Sequence, residues 1–204
     1  MHVDASEYLN RYGYFGRQTT LSEAVKKFQR FAGLRVSGRV DKMTQKLMNT
    51  PRCGLKDEIA EFNTNTNLFA EFNTNKRKWR KRVLTYRIKT YPTNGLRRED
   101  VDSETAKAFA MWQRVANIKF VKKTSGGADI EIAFARGQHD DRNENNPFDG
   151  PGAVVAHAYF PGVEKYLSGD AHFDDDEPWS ITCNQGCENR IQLLNTLSLG
   201  TAWA

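Results

Sequence analysis

Cysteine is scarce in this chain of 204 residues. Cys53, Cys183 and Cys187 make an odd, low count that defines no disulfide framework. Long apolar runs are missing as well, and nothing approaches the roughly 18 residues that a membrane span needs. The opening MHVDASEYLN has neither the basic start nor the apolar centre of a signal peptide. Acidic residues are absent from Lys76 to Arg98, a stretch with ten basic ones. No aromatic-interleaved pattern or recognition helix accompanies that run, which argues against nucleic-acid binding and leaves a processing site, a solvated face or a polyanion contact. What remains is ordinary for a soluble globular protein, at 39% hydrophobic and 27% charged residues.

Histidine is also rare, but it is not scattered. Three of the four histidines fall between His139 and Glu177, among ten acidic and two basic residues. Gly150, Pro151, Gly152, Gly162 and Gly169 supply turns between them. Imidazole nitrogen suits zinc, whereas clustered carboxylates and inward-turned carbonyls suit calcium. His157 lies in an alternating run with Val155 and Tyr159, which predicts a strand presenting the ring on one face. His172 sits in a similar short run, and His139 opens the loop. Three imidazoles and one carboxylate, Asp141 or Asp140, would close a tetrahedral zinc shell of the structural kind. Asp149-Gly-Pro-Gly152 and Asp174 to Glu177 offer carboxylates and bendable backbone for calcium.

The segments HxD, PFDGPGxxxAHAxFPG and GDAHFDDDExW resemble the metal-binding loops of the matrix metalloproteinases, or matrixins. That resemblance implies a structural zinc on His139, Asp141, His157 and His172. It implies one calcium on Asp149, Gly150, Gly152, Val154, Asp174 and Glu177, the glycines and valine through their carbonyls. A second calcium falls on Asp129 and Asp170, with Tyr166 and Ser168 where the family has glycines. A third would use Asp175, but Gly95 stands where its partner aspartate belongs, so that site is not assigned.

The amino-terminal third is read as helical. Thr20-Leu-Ser-Glu23 is a capping box, and Leu21, Ala24, Val25, Phe28 and Phe31 recur at helical spacing up to a stop at Gly33. A helix over Ser6 to Tyr12 and another opened by Asp41, with Met43, Leu47 and Met48, complete a three-helix bundle whose apolar stripes form its core. The pattern AVKKFQRFAGLRVSGRVDKMTQKLM resembles the peptidoglycan-binding-like fold used by matrixins as a propeptide. Pro51-Arg-Cys-Gly-Leu-Lys-Asp57 is similar to the family's cysteine switch, with Lys56 replacing its second proline. The resemblance implies that the Cys53 thiolate fills the open position of a catalytic zinc and that Arg52 anchors the loop through an acidic partner.

Residues 58–77 carry a direct repeat, AEFNTN at Ala60 and again at Ala70, and read as a linker in which propeptide cleavage would fall. Beyond it, Val83 to Ile88, Ile118 to Lys122 and Ala128 to Ala135 predict strands. Glu99 to Ala116 predicts a helix with Val101, Ala108, Phe109, Trp112 and Val115 along one face. The expected fold class is α+β: residues 1–57 a three-helix peptidoglycan-binding-like prodomain ending in the switch, 58–77 the activation segment, and 78–204 an incomplete zincin-type catalytic domain. That domain would hold a twisted mixed sheet, a helix and metal-binding loops.

No histidine follows His172, so the HExxHxxGxxH that carries the family's catalytic zinc is not in the sequence. The chain as written is therefore expected to be inactive and to lack a catalytic residue of its own, Cys53 being an inhibitory ligand. Cys183 and Cys187 have no second pair with which to build a zinc site. By resemblance, the whole protein is a secreted, extracellular zinc endopeptidase zymogen, with matrix proteins as substrates, an activating protease, and tissue inhibitors as partners. The missing leader and the missing catalytic helix read as truncation. The alternative is a non-catalytic, metal-stabilised extracellular binding protein.

Overall fold

The computed structural model describes residues 3–54, 56–57, 78–93, 95–139, 147–162, 168–181 and 191–192. The repeat-bearing linker, Asp140, Asp141, Tyr166, Cys183 and Cys187 lie outside them. The chain divides into two units, one of residues 1–51 with 55–76 and one of 52–54 with 77–204.

The described residues of the first unit form three short helices, each begun by a side chain that accepts from the first turn's free N–H groups. These are α1 (Ala5–Arg11), capped by Asp4, α2 (Leu21–Phe31), capped by Thr20, and α3 (Lys42–Met48), capped by Asp41. The capping box is closed in both directions: Glu23 N–H donates to Thr20 Oγ1 at 3.3 Å, and Thr20 N–H donates to Glu23 Oε2 at 2.8 Å. Tyr8, Leu9, Tyr12, Tyr14, Ala24, Val25, Phe28 and Met48 form the core. The apolar stripes are only partly core. Leu21, Phe31, Met43 and Leu47 are exposed. Periodicity fixes the phase of a stripe, but helices this short have too few neighbours to cover its ends.

The second unit is built on a six-stranded sheet. Its strands are β1 (Arg52–Cys53), β2 (Val83–Ile88), β3 (Lys119–Lys122), β4 (Ile130–Ala135), β5 (Val154–Ala158) and β6 (Ala171–Asp174), in the order β1-β5-β6-β4-β2-β3. Only the β5–β6 pair is antiparallel. A two-stranded ribbon joins β7 (Trp179–Ser180) to β8 (Ile191–Gln192). The helix α4 (Arg98–Val115) covers one face, where Phe109 lies 4.4 Å from the Tyr86 ring and 4.3 Å from the Phe120 ring. Further along that core, Phe134, Phe173 and Trp179 pack edge and face. Val115, read from the sequence as part of the buried face, is 80% exposed because the helix ends there and the chain turns away to β3. The architecture is α+β with a mixed sheet, as the sequence indicates.

Candidate metal centres and the β5 edge

The sheet itself sets the histidines face to face. His157 on β5 and His172 on β6 are direct cross-strand partners, while their neighbours Ala156 and Phe173 pair on the core side. Alternation along a strand sends both rings to the same face, away from α4. His139 reaches that face from the loop after β4. Its ring stacks on Phe148 at 4.4 Å, and its Nδ1 meets the Gly137 carbonyl at 2.8 Å.

The three rings converge through their nitrogens. His139 Nε2 lies 3.1 Å from His157 Nε2, which lies 3.2 Å from His172 Nδ1. All three ligand atoms fall within 4.8 Å of one another. A tetrahedral zinc with bonds of 2.0–2.1 Å separates its nitrogen ligands by about 3.4 Å, so the spacing fits. His157 and His172 are buried and His139 is half-buried, which shields such a site from water. The Gly137 carbonyl would fix the tautomer of His139, as outer hydrogen bonds to metal-bound imidazoles do. Neither Gly137 nor Phe148 could be singled out from the sequence, since neither residue type signals metal.

The second cluster forms at the turn before β5. Gly150 and Gly152 have positive φ, 80° and 98°, and Ala153 follows at 42°. This left-handed backbone folds the turn against the segment after β6. Glu177 Oε1 accepts the Gly152 N–H at 2.7 Å, and Asp149 Oδ1 accepts that of Val154 at 3.2 Å. Asp174 Oδ1 accepts from the Asp176 N–H at 2.9 Å, while its Oδ2 is buried with no hydrogen-bond donor among the described residues. Burial, together with the charges of Asp174, Asp149 and Asp176, pushes Glu177 up to about 7; burial likewise raises Asp174. Crowded, desolvated carboxylates with an orphaned oxygen are what a hard cation relieves. The donor set fits calcium.

The other expected calcium residues are less clearly assembled. Asp129 spends its carboxylate on the Lys81 ammonium and on the Thr85 N–H and hydroxyl, at 2.9 and 2.8 Å. Its carbonyl oxygen is the part that faces Gly169. Asp170 Oδ1 accepts from the Glu131 N–H at 2.9 Å, and burial pushes this carboxyl up to about 6. The Ser168 hydroxyl accepts from the Gly162 N–H at 2.8 Å. Asp175 lies against Thr93 and Arg136.

One edge of the sheet is closed by β1. The Arg52 N–H donates to the Ala153 carbonyl and the Gly54 N–H to the Ala156 carbonyl, both at 2.8 Å, so Cys53 is carried parallel to β5. A Cβ on Gly54 would stand 2.6 Å from Val154 Cγ1, so only glycine permits this approach. Cys53 is exposed.

Residues 78–199 match the matrixin family of peptidases, and residues 3–48 match the putative peptidoglycan binding domain family. An interstitial collagenase from Equus caballus is 46% identical over 158 residues, covering 78% of this chain and 30% of the collagenase. Stromelysin-1 of Mus musculus is 40% identical over 188 residues, covering 85% and 36%. Matrilysin of Homo sapiens is 41% identical over 180 residues, covering 86% and 62%. The chain thus spans less than two thirds of each of these relatives.

Proposed function

This chain belongs to the matrixin family, and we propose from that premise that it is part of a secreted zinc endopeptidase zymogen acting on extracellular matrix proteins. The names collagenase and stromelysin, borne by its relatives, support that substrate class. The observation that carries the proposal is the convergence of His139, His157 and His172 on one point of the sheet face. Asp141 is the fourth ligand on this reading. The zinc held there supplies a cross-link, not catalysis, because four protein ligands leave no position open for water. Asp149, Asp174 and Glu177, with the carbonyls of Gly150, Gly152 and Val154, hold a calcium ion; Asp129, Tyr166, Ser168 and Asp170 hold a second through backbone oxygens and the Asp170 carboxylate.

Residues 1–57 act as the inhibitory propeptide, 58–77 as the segment cut on activation, and 78–204 as catalytic-domain sequence. Cys53 is the inhibitory ligand of the catalytic zinc. The β1 pairing supports that role, since it fixes the cysteine backbone along an edge strand through two hydrogen bonds. The 204 residues contain no HExxHxxGxxH and do not hydrolyse peptides by themselves.

The test of the site is elemental analysis. Protein dialysed against metal-free buffer retains about one zinc per chain, and His157→Ala loses it. A zinc-free wild-type preparation sinks the assignment. The lack of a catalytic motif beside a complete set of imidazoles also favours a second reading, a non-catalytic binding protein stabilised by metal. Sequencing the native transcript past the codon for Ala204 separates the two. Continuation into HExxHxxGxxH supports the zymogen, and a stop codon supports the binding protein.

A further inference from the structure

The chain that leaves Cys53 is seated on the turn between α1 and α2. The Asp57 N–H donates to the Tyr12 carbonyl at 3.1 Å, and the Tyr14 hydroxyl donates to Asp57 Oδ2 at 2.5 Å. Between the two tyrosines, Gly13 has φ 82°, and the aliphatic stem of Lys56 lies over it. A Cβ on Gly13 would stand 3.6 Å from Lys56 Cβ. Backbone of this handedness favours glycine, and the bend brings the Tyr12 carbonyl and the Tyr14 hydroxyl to one residue.

Tyr14 is firmly fixed. Its side chain is fully buried, its ring meets Phe28 edge-on with centroids 5.5 Å apart, and its N–H donates to the Leu9 carbonyl at 2.8 Å. Phenylalanine would fill that core equally well. A buried phenol needs an acceptor, and this one finds a carboxylate 43 positions further along the chain. A hydroxyl that donates to a charged oxygen makes a stronger bond than one between neutral groups. On either side of the cysteine, the Arg52 and Gly54 N–H groups are engaged by β5. Leu55 and Lys56 alone separate Gly54 from Asp57, and at roughly 3.5 Å each they take up little slack.

We propose that Tyr14 is a positioning residue for the switch: it clasps Asp57, and opening of the clasp loosens β1 and the Cys53 backbone with it. The consequence for latency rests on Cys53 being the inhibitory zinc ligand; the clasp itself does not. Lys56, standing where the family's switch has its second proline, gives the clasp a reporter, because a lysine-specific protease can cut after it. That bond is cut only while the Asp57 N–H is away from the Tyr12 carbonyl, and the rate follows the population of the opened form.

Digestion of the full chain with a lysine-specific endoprotease, followed by mass spectrometry, reads that opening. Tyr14→Phe raises the rate of cutting after Lys56 about tenfold, the worth of a hydrogen bond to a charged group, and speeds exchange of the Gly54 N–H by a similar factor. Cutting after Lys26 and Lys27, inside α2, stays within about twofold. Asp57→Asn keeps an acceptor for the hydroxyl and recovers most of the protection, whereas Tyr14→Phe adds nothing to Asp57→Ala. Cuts that rise alike after Lys26, Lys27 and Lys56 mean a loosened helical core and overturn the positioning role. Faster cutting after Lys56 with unchanged Gly54 exchange also overturns it, since the clasp would then stop short of the cysteine. Should Tyr14→Phe unfold the helices, Asp57→Ala, at a half-buried position outside their core, carries the same comparison. Neither readout passes through a catalytic zinc, so a failed clasp leaves the switch reading standing, and a failed switch reading leaves these rates as they are.

Discussion

Gly169 is held at φ 83°, where a side chain is strained, and a Cβ there would press on the Trp79 ring and come 3.3 Å from the Asp129 carbonyl. Both neighbours are constrained, Trp79 against the core and Asp129 by its bonds to Thr85. Gly169→Ala is therefore expected to lower the stability of the second unit by about 1–3 kcal/mol and to expose Trp79. Urea unfolding together with tryptophan emission checks this, and an unshifted emission maximum with unchanged stability would contradict it. Sequence reading placed Gly169 among turn formers but gave no reason for it. The reason is a contact with a residue 90 positions earlier, which no local pattern contains.

At the scale of elements, the turn at Asp149–Val154 and the segment Asp174–Glu177 are two halves of one acidic pocket. Calcium is expected to stabilise the second unit by about 3 kcal/mol at a hundredfold excess over its Kd. Glu177→Gln keeps an acceptor for the Gly152 N–H while removing one of the crowded charges. It should leave the calcium-free protein as stable as before, or more so, and shrink the response to calcium. Thermal melts with and without chelator measure both, and an undiminished calcium response would remove Glu177 from the site. Much at this scale was legible in advance. The caps at Thr20 and Asp41, the alternation of β2 and β4, and the residue types of the metal loops are local signals. The pairing of His157 with His172 was not, because register across β5 and β6 is a property of two strands. A two-residue strand such as β1 has no period at all, so its place beside β5 could not be read. Nor could the Lys81–Asp129 pair, whose partners are 48 residues apart.

The described residues form two separate apolar cores, one in each unit. In the helical unit, buried Gln29 reaches Ser37, Arg39 and Thr44 with its amide nitrogen, and its oxygen accepts the N–H groups of Ser37 and Gly38 at 2.8 and 2.9 Å. Gln29→Leu would leave those donors unmet, at a cost of about 2–4 kcal/mol. Calorimetry should then show two transitions. Gln29→Leu lowers one, chelation of zinc and calcium lowers the other, and a single transition shifted by both would show that the cores do not melt separately. Among the described residues, no helix is long and apolar enough to cross a membrane.

The strand order has a consequence for how the protein is made. β5, with β1 beside it, joins β4, β2 and β3 solely through β6, the last of the six strands in sequence. While the chain is still emerging from the ribosome, β2, β3 and β4 can assemble, but β5 and its partner β1 must wait apart from them until residues 171–174 arrive. The insertion of β6 between β4 and β5 then completes the sheet and brings His172 to His157 in the same event. Late synthesis, closure of the fold and convergence of the imidazoles are thus one kinetic step, and a ribosome pausing before Ala171 would leave a half-sheet with a naked edge open to aggregation.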